Sequence, residues 1–380
     1  MPAAVVTPLL RLNRHRSTGL TLIELMIAIT VALVLLAALA AMYGSSIKAR
    51  NQIERINRQT ENGRYAIQLL RDDIQLAGFF GEYNMRDRSP GVPAALPDVC
   101  VTHLTTTLPA DNVATADLNG DTAINGLDYL TAVMALQVQG FDDVDPSSLP
   151  VCLSGADVRA GTDIIVVRRV LTCRAGIDPN CGFTANAPYL QASQCNDQIN
   201  QMVAAGQMPM RLRANANTTA FNLMDINCVS GTVTPIRRYV THIYFVANNN
   251  LANDGVPTLK RRELTSTGFT TTALVEGIED LQFEYGIDNT GTGGNPDGTP
   301  DVYLDDPADD TVSPSVQAAW ANVTAVRTHL LSRSTEERRD YVDANSYTLG
   351  TKTIAAPGDH HTRQVFQTVV QLHNITGRRQ

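Results

Sequence analysis

Gly19-Leu20-Thr21-Leu22-Ile23-Glu24-Leu25 leads into LMIAITVALVLLAALAAMY, an uncharged run from Leu25 to Tyr43. Nineteen residues at the α-helical rise extend roughly 28 Å, about one bilayer core. Residues 1–19 hold Arg11, Arg14 and Arg16 and no acidic residue. Such a basic flank stays cytoplasmic and sends the downstream chain outward. An ordinary signal peptide has a shorter apolar stretch, although Ala38-Leu39-Ala40 supplies an A-x-A-like site. Glu24 separates the two readings. A lone carboxylate beside apolar residues in a membrane is costly and marks function.

Taken together, the basic leader ending in Gly19, the carboxylate five residues on and the apolar helix resemble the type IV prepilin motif. The resemblance implies cleavage by a prepilin peptidase between Gly19 and Leu20, methylation of the new N-terminus, and an assembly role for Glu24. Leu20 stands where the family usually has Phe.

Periodicity extends the helix. In GSSIKARNQIERINRQTENGRYAIQLLRDDIQLAG, residues Ile53, Ile56, Thr60, Gly63, Ile67, Leu70, Ile74 and Ala77 recur every three or four positions. Arg, Gln, Asn and Asp are assigned to the other face, and Gly78 is a stop signal. The divisions are a leader at 1–19, a membrane half of the helix at 20–43, an amphipathic half at 44–77 and an exported head at 78–380.

Whole-chain composition fits a folded, exported head. Hydrophobic residues make up 43% of 380 and charged residues 18%, enough apolar material for a core. The net charge is −8; without the three leader arginines the balance is 27 basic against 38 acidic. That argues against a general nucleic-acid binder, which should show a basic face. Cys100, Cys152, Cys173, Cys181, Cys195 and Cys228 all lie beyond the apolar run. An even number in a translocated region reads as disulfides, and the short loop between Cys173 and Cys181 makes them the favoured pair. Neither C-x-x-C redox spacing nor a zinc pattern occurs.

Residues 79–160 read as loop-rich. Strands are expected at 163–170, 238–246, 259–264, 278–287, 323–331 and 366–372, with the second and third paired across a turn at 247–257. One long helix followed by antiparallel strands is α+β. The segments RRYVTHIYFVA, LVEGIEDLQFEYGID, DGTPDVYL, WANVTAVRTHLLSRS and RQVFQTVVQLHN, in that order, resemble the PilW family of type IV pilus minor pilins. The implied fold is type IV pilin-like: a long N-terminal helix packed on an antiparallel β-sheet head with loop-rich insertions. The implied function is initiation of pilus assembly, within a priming complex or at the tip, in support of motility and adhesion. The implied partners are other minor pilins, the major pilin and prepilin peptidase, with a single inner-membrane pass and a periplasmic head. The alternatives are a type II secretion minor pseudopilin and a calcium-dependent adhesin or DNA-uptake module.

No enzyme site is expected. G-x-S-x-G, G-x-x-x-x-G-K-[ST], H-E-x-x-H and G-x-G-x-x-G are missing from suitable contexts. Asp359-His360-His361 reads as a solvated loop, because adjacent histidines point apart. No cofactor is required, but calcium is weighed at Asp117, Asn119, Asp121, Asn125 and Asp128, whose oxygens approximate an EF-hand loop. That loop lacks Gly at its sixth position and ends in Asp rather than Glu; an Asx-rich turn is the alternative. A second acidic loop, Asp288–Asp310 with Asp297, Asp301, Asp305 and Asp306, has irregular spacing and reads as a solvated loop, with calcium binding as the alternative.

Overall fold

A computed structural model describes residues 19, 21–81, 92–101, 132–205, 208–214, 221–265, 268–289 and 297–376. The chain divides into two units, Met1–Arg55 and Ile56–Gln380.

Helix α1 spans Leu22–Gln75. A reciprocal cap at Thr21 and Glu24 starts it, and the apolar, helix-favouring run carries it onward. Gly78 ends the segment at a positive φ of 71°, where a Cβ would be strained. In the first unit the apolar side chains are exposed throughout: Leu22 is 78% and Val34 68% accessible. The described residues contain one helix long and apolar enough to cross a membrane, and it is α1.

The second unit begins with the last turns of α1. Their buried face is Gln59, Gly63, Ala66, Leu70, Asp73 and Ile74. This differs from the expected stripe: Ile53 and Ile56 are exposed, while Gln59 and Asp73 point inward. The later members of the stripe, Gly63, Leu70, Ile74 and Ala77, are buried as expected, and Gln59, Ala66 and Asp73 widen the face toward one side. Gly63 is required there, since a Cβ would lie 2.1 Å from the Phe366 ring.

The head has two main sheets. Strands β1 (Val138–Phe141), β2 (Ile164–Val170), β3 (Pro188–Ala192), β4 (Met210–Ala214), β5 (Arg237–Ala247), β6 (Thr258–Thr265) and β7 (Gly268–Glu276) form the first. Its order is β1-β2-β5-β3-β4, and the β6–β7 hairpin adds along the second half of β5. Helix α2 (Asn196–Ala204) lies between β3 and β4 in sequence. Strands β8 (Ile278–Ile287), β9 (Val302–Leu304), β10 (Val323–Arg333) and β13 (Arg363–Gln371) form the second sheet, ordered β13-β10-β8-β9. Helix α3 (Val316–Ala321) precedes β10, and β11 (Tyr347–Leu349) with β12 (Lys352–Ile354) makes a separate hairpin. All pairings are antiparallel.

Both faces of β2 and β5 are buried, which explains their near-continuous apolar sequences. Ile165, Val167, Tyr244 and Val246 join Ala66, Leu70 and Ile74 of α1 and Leu281, Phe283, Val326 and Leu330 of the second sheet. Ile164, Val166, Ile243 and Phe245 pack on the opposite side with Leu153 and Val99. Each such aliphatic or aromatic side chain contributes roughly 1.5–3 kcal/mol on burial.

Disulfides join Cys100 to Cys152, Cys173 to Cys181 and Cys195 to Cys228. The second is the short loop favoured from sequence. The first fastens residues of the loop-rich region under the second core, at Val99 and Leu153. Segment 79–160 is less irregular than expected, because β1 within it pairs with β2.

Candidate processing and assembly site

Gly19 is exposed immediately before α1; Leu20 lies outside the described residues. Glu24 Oε2 accepts hydrogen bonds from Thr21 N at 3.0 Å and Thr21 Oγ1 at 2.8 Å. Thr21 Oγ1 accepts in turn from Glu24 N at 3.4 Å. This is the reciprocal capping box of T-x-x-E. It gives Glu24 a local task that the sequence reading did not assign: satisfying a helix N-terminal donor and facing the positive end of the helix dipole.

A second polar cluster ties α1 into the head. Arg169 donates to Asp73 Oδ1 from Nε at 2.6 Å and reaches it from Nη2 at 2.6 Å. His242 Nδ1 lies 2.7 Å from Asp73 Oδ2, and the Tyr244 hydroxyl donates to the same oxygen at 2.8 Å. Glu263 Oε2 is 3.6 Å from His242 Nε2. Burial alone would raise Asp73, but bonds and charge from His242, the Arg169 guanidinium and the Tyr244 hydroxyl hold it well below the usual carboxylate range. For His242 burial acts downward, yet hydrogen bonds to Asp73 and Glu263 leave it raised. A cleft of about 340 Å³ opens beside the cluster, lined by Tyr65, Leu69, Asp72, Leu76 and Arg261 among others. The sequence reading placed Asp73 on the polar face. The signal that finds it is the alternating spacing it shares with Gly63, Ala66 and Leu70.

The raised His242 gives a pH-dependent contribution. Its share of the stability is fully present below the unfolded pKa of about 6.5 and is lost as pH rises through the higher folded value. Asp73, being lowered, adds stability above the unfolded carboxylate range and loses it only on strong acidification. The melting-temperature gap between wild type and His242→Gln should therefore be wider at about pH 6 than at about pH 9. A gap independent of pH across that window would show that folding leaves the pKa of His242 unchanged, and a gap narrower at pH 6 would show that His242 is neutral when folded.

The other sequence candidates do not form one site among the described residues. Asp117, Asn119, Asp121, Asn125 and Asp128 lie outside the described residues. Asp359 pairs with the buried Arg363 guanidinium, 2.6 Å from Nη2, which holds its carboxyl low. His360 and His361 each place Nδ1 on a main-chain carbonyl, of Tyr341 and Ser334 respectively. The second acidic loop is only partly solvated: Asp288 is buried and accepts from the amides of Asp297 and Gly298.

Comparison with known proteins defines the class first. Residues 14–40 match the prokaryotic N-terminal methylation motif. Motif, apolar α1 and antiparallel head together give the chain a type IV pilin-like architecture, and the motif is one that implies processing by a prepilin peptidase and assembly with other pilins. Within that class, residues 243–374, from β5 to the end of the second sheet, match the family described as Type IV Pilus-assembly protein W, PilW. A type IV-like pilin from Thermus thermophilus is similar over 56% of this chain and 78% of its own, at 13% identity and a TM-score of 0.25. No curated protein matches significantly.

Proposed function

We propose that the chain is a minor pilin of the PilW type that helps initiate type IV pilus assembly, without enzymatic activity. In this reading α1 crosses the inner membrane once, the head is periplasmic, and the subunit joins other minor pilins in a priming complex that remains at the filament tip. The observation that carries it is the succession at one end of the chain: exposed Gly19, the Thr21–Glu24 cap, then an apolar helix whose side chains the described chain leaves uncovered. Apolar surface of that extent needs lipid or neighbouring helices. The PilW match at 243–374 favours a pilus over a secretion apparatus.

The mature protein should begin Leu-Thr-Leu-Ile-Glu, with a methylated Leu20. N-terminal sequencing and mass spectrometry of the membrane-extracted protein read this directly. A mature chain starting beyond Ala40 would mark a conventional signal peptide and end the pilin reading. Co-purification with pilin-type subunits from the native host supports the assembly role; recovery with secretion-apparatus subunits instead overturns it.

A further inference from the structure

At the seam between the two sheets, carboxylates collect that the pilin reading does not use. Strand β1 ends at Phe141 and is followed by Asp142 and Asp143; Asp163 immediately precedes β2. One oxygen from each of Asp142, Asp143 and Asp163 lies within 4.8 Å of the others. Oxygens bound to one calcium ion at 2.3–2.6 Å are at most about 5 Å apart, so this spacing suits a shared ion. Strand β9 ends at Leu304, with Asp305 and Asp306 next in the chain. Both are close enough to act on Asp142, which burial and the charges of Asp143, Asp305 and Asp306 push upward.

Asp163 is prearranged. It is buried, and its two oxygens accept the amides of Asp143 at 2.9 Å and Phe283 at 2.7 Å. It thereby links the first sheet to β8 of the second. Lys352 supplies a positive charge, 2.9 Å from Asp143 and 3.4 Å from Asp280. One ammonium does not balance this many carboxylates.

An independent feature points to a ligand at the same place. The Tyr285 hydroxyl is buried without a hydrogen-bond partner. Tyr285 faces Leu304, the residue before Asp305, across the β8–β9 pair. Its oxygen reaches β1 so closely that a Cβ on Gly140, two residues before Asp142, would sit 1.9 Å away. The phenol oxygen thus packs against β1 two residues before Asp142, and the charges of Asp163, Asp142 and Asp306 add to burial in raising its pKa. A buried hydroxyl with no acceptor is costly unless a ligand or its water receives the proton.

We propose that Asp142, Asp143 and Asp163 form a divalent-cation site for calcium, with Asp305 and Asp306 as further negative charges nearby, and that the Tyr285 hydroxyl donates to a water on the ion. The donors are all oxygen and anionic, at the end of β1 and the start of β2, which suits calcium better than zinc or magnesium. The ion would fasten these two strand ends at the seam.

The experiment uses the full chain in detergent micelles. Terbium is titrated in as a luminescent calcium analogue under tyrosine excitation, calcium is then used to displace it, and melting is followed in calcium and in chelator. Expected are a saturable signal that calcium displaces and a melting temperature roughly 5 °C higher in excess calcium, since a ligand that binds the native state stabilises it. Asp142→Asn, at an exposed position, should weaken calcium binding about tenfold through loss of one anionic ligand. Tyr285→Phe should fold and dim the terbium emission. Asp121→Asn should leave both unchanged. The proposal falls if calcium displaces no terbium, if Asp142→Asn binds like wild type, or if Asp121→Asn alone removes binding. A shared proton between Asp142 and Asp163 would give the first of these results.

Discussion

Replacing Asp73 with Ala should destabilise the head by about 3–5 kcal/mol, the largest single-residue effect expected in this chain. The carboxylate is 6% exposed and holds three partners at once: the Arg169 guanidinium, the His242 ring and the Tyr244 hydroxyl. Truncation leaves a guanidinium that is 12% exposed without its counter-charge and a buried hydroxyl without its acceptor. The cost comes from these orphaned groups more than from the lost attraction, because an unpaired buried charge carries the full desolvation penalty. Asp73→Asn should be milder, since the amide oxygen still accepts one hydrogen bond. Adding Arg169→Leu to Asp73→Leu should recover part of the loss, because an apolar pair removes the stranded charge together with its partner. Denaturant unfolding of the full chain in detergent, followed by the fluorescence of Trp320, measures all four proteins. A loss below about 1 kcal/mol in Asp73→Ala would mean that water reaches the cluster through the neighbouring cleft and substitutes for the carboxylate.

Asp73 also shows where the sequence was hard to read. The long helix was plain, because an uncharged run from Leu25 to Tyr43 behind a basic leader admits few structures. β2, β5, β8 and β10 were visible as well, since their buried faces demand runs such as IIVVRRV and THIYFVA. β3, β4 and β7 were not. PYLQA and MRLRA are five residues each with mixed polarity, and GFTTTALVE is a partly exposed strand rich in threonine. Their identity depends on partners distant in the chain: β3 joins β5 through only Tyr189 and Leu190. Part of the helix face was misjudged for a related reason. A stripe drawn through isoleucines keeps Leu70 and Ile74 but misses positions such as 59 and 73, where the core contains polar groups with partners elsewhere. Gln59 donates to the Ser332 and Thr362 carbonyls, and Asp73 meets a guanidinium from β2 and an imidazole from β5. Hydropathy alone does not mark such residues as buried. The aspartates at the seam were hidden likewise: Asp142, Asp163 and Asp305 are far apart in sequence, and only the ends of three strands bring them near one another.

Glu24→Ala should leave export and leader removal intact and abolish incorporation of the subunit into the pilus or its priming complex. Two effects combine in this variant, and the structure separates them. One is the cap: Glu24 accepts from Thr21 N and Oγ1, and losing that costs about 0.5–2 kcal/mol of helix-end stability. The other is charge. A carboxylate beside Leu22, Ile23, Leu25 and Met26 needs a cation when lipid surrounds it. Under the proposed processing, cleavage after Gly19 would create one, the α-amino group of Leu20. In a filament, a staggered neighbour would bring its own amine to Glu24. Pairing between subunits would neutralise the carboxylate and fix their register, a role buried polar groups fill elsewhere. Glu24→Gln distinguishes the two effects. Glutamine keeps the capping acceptor and removes the charge, so it should preserve the helix end and still fail in assembly. Glu24→Asp keeps the charge on a shorter arm and should be partly functional. Each variant, as sole copy, is assayed by co-purification with other pilin-type subunits and by counting surface pili. If Glu24→Gln assembles normally while Glu24→Ala does not, the residue acts through the cap alone. If both assemble normally, neither the cap nor the charge is needed for this subunit to join its neighbours.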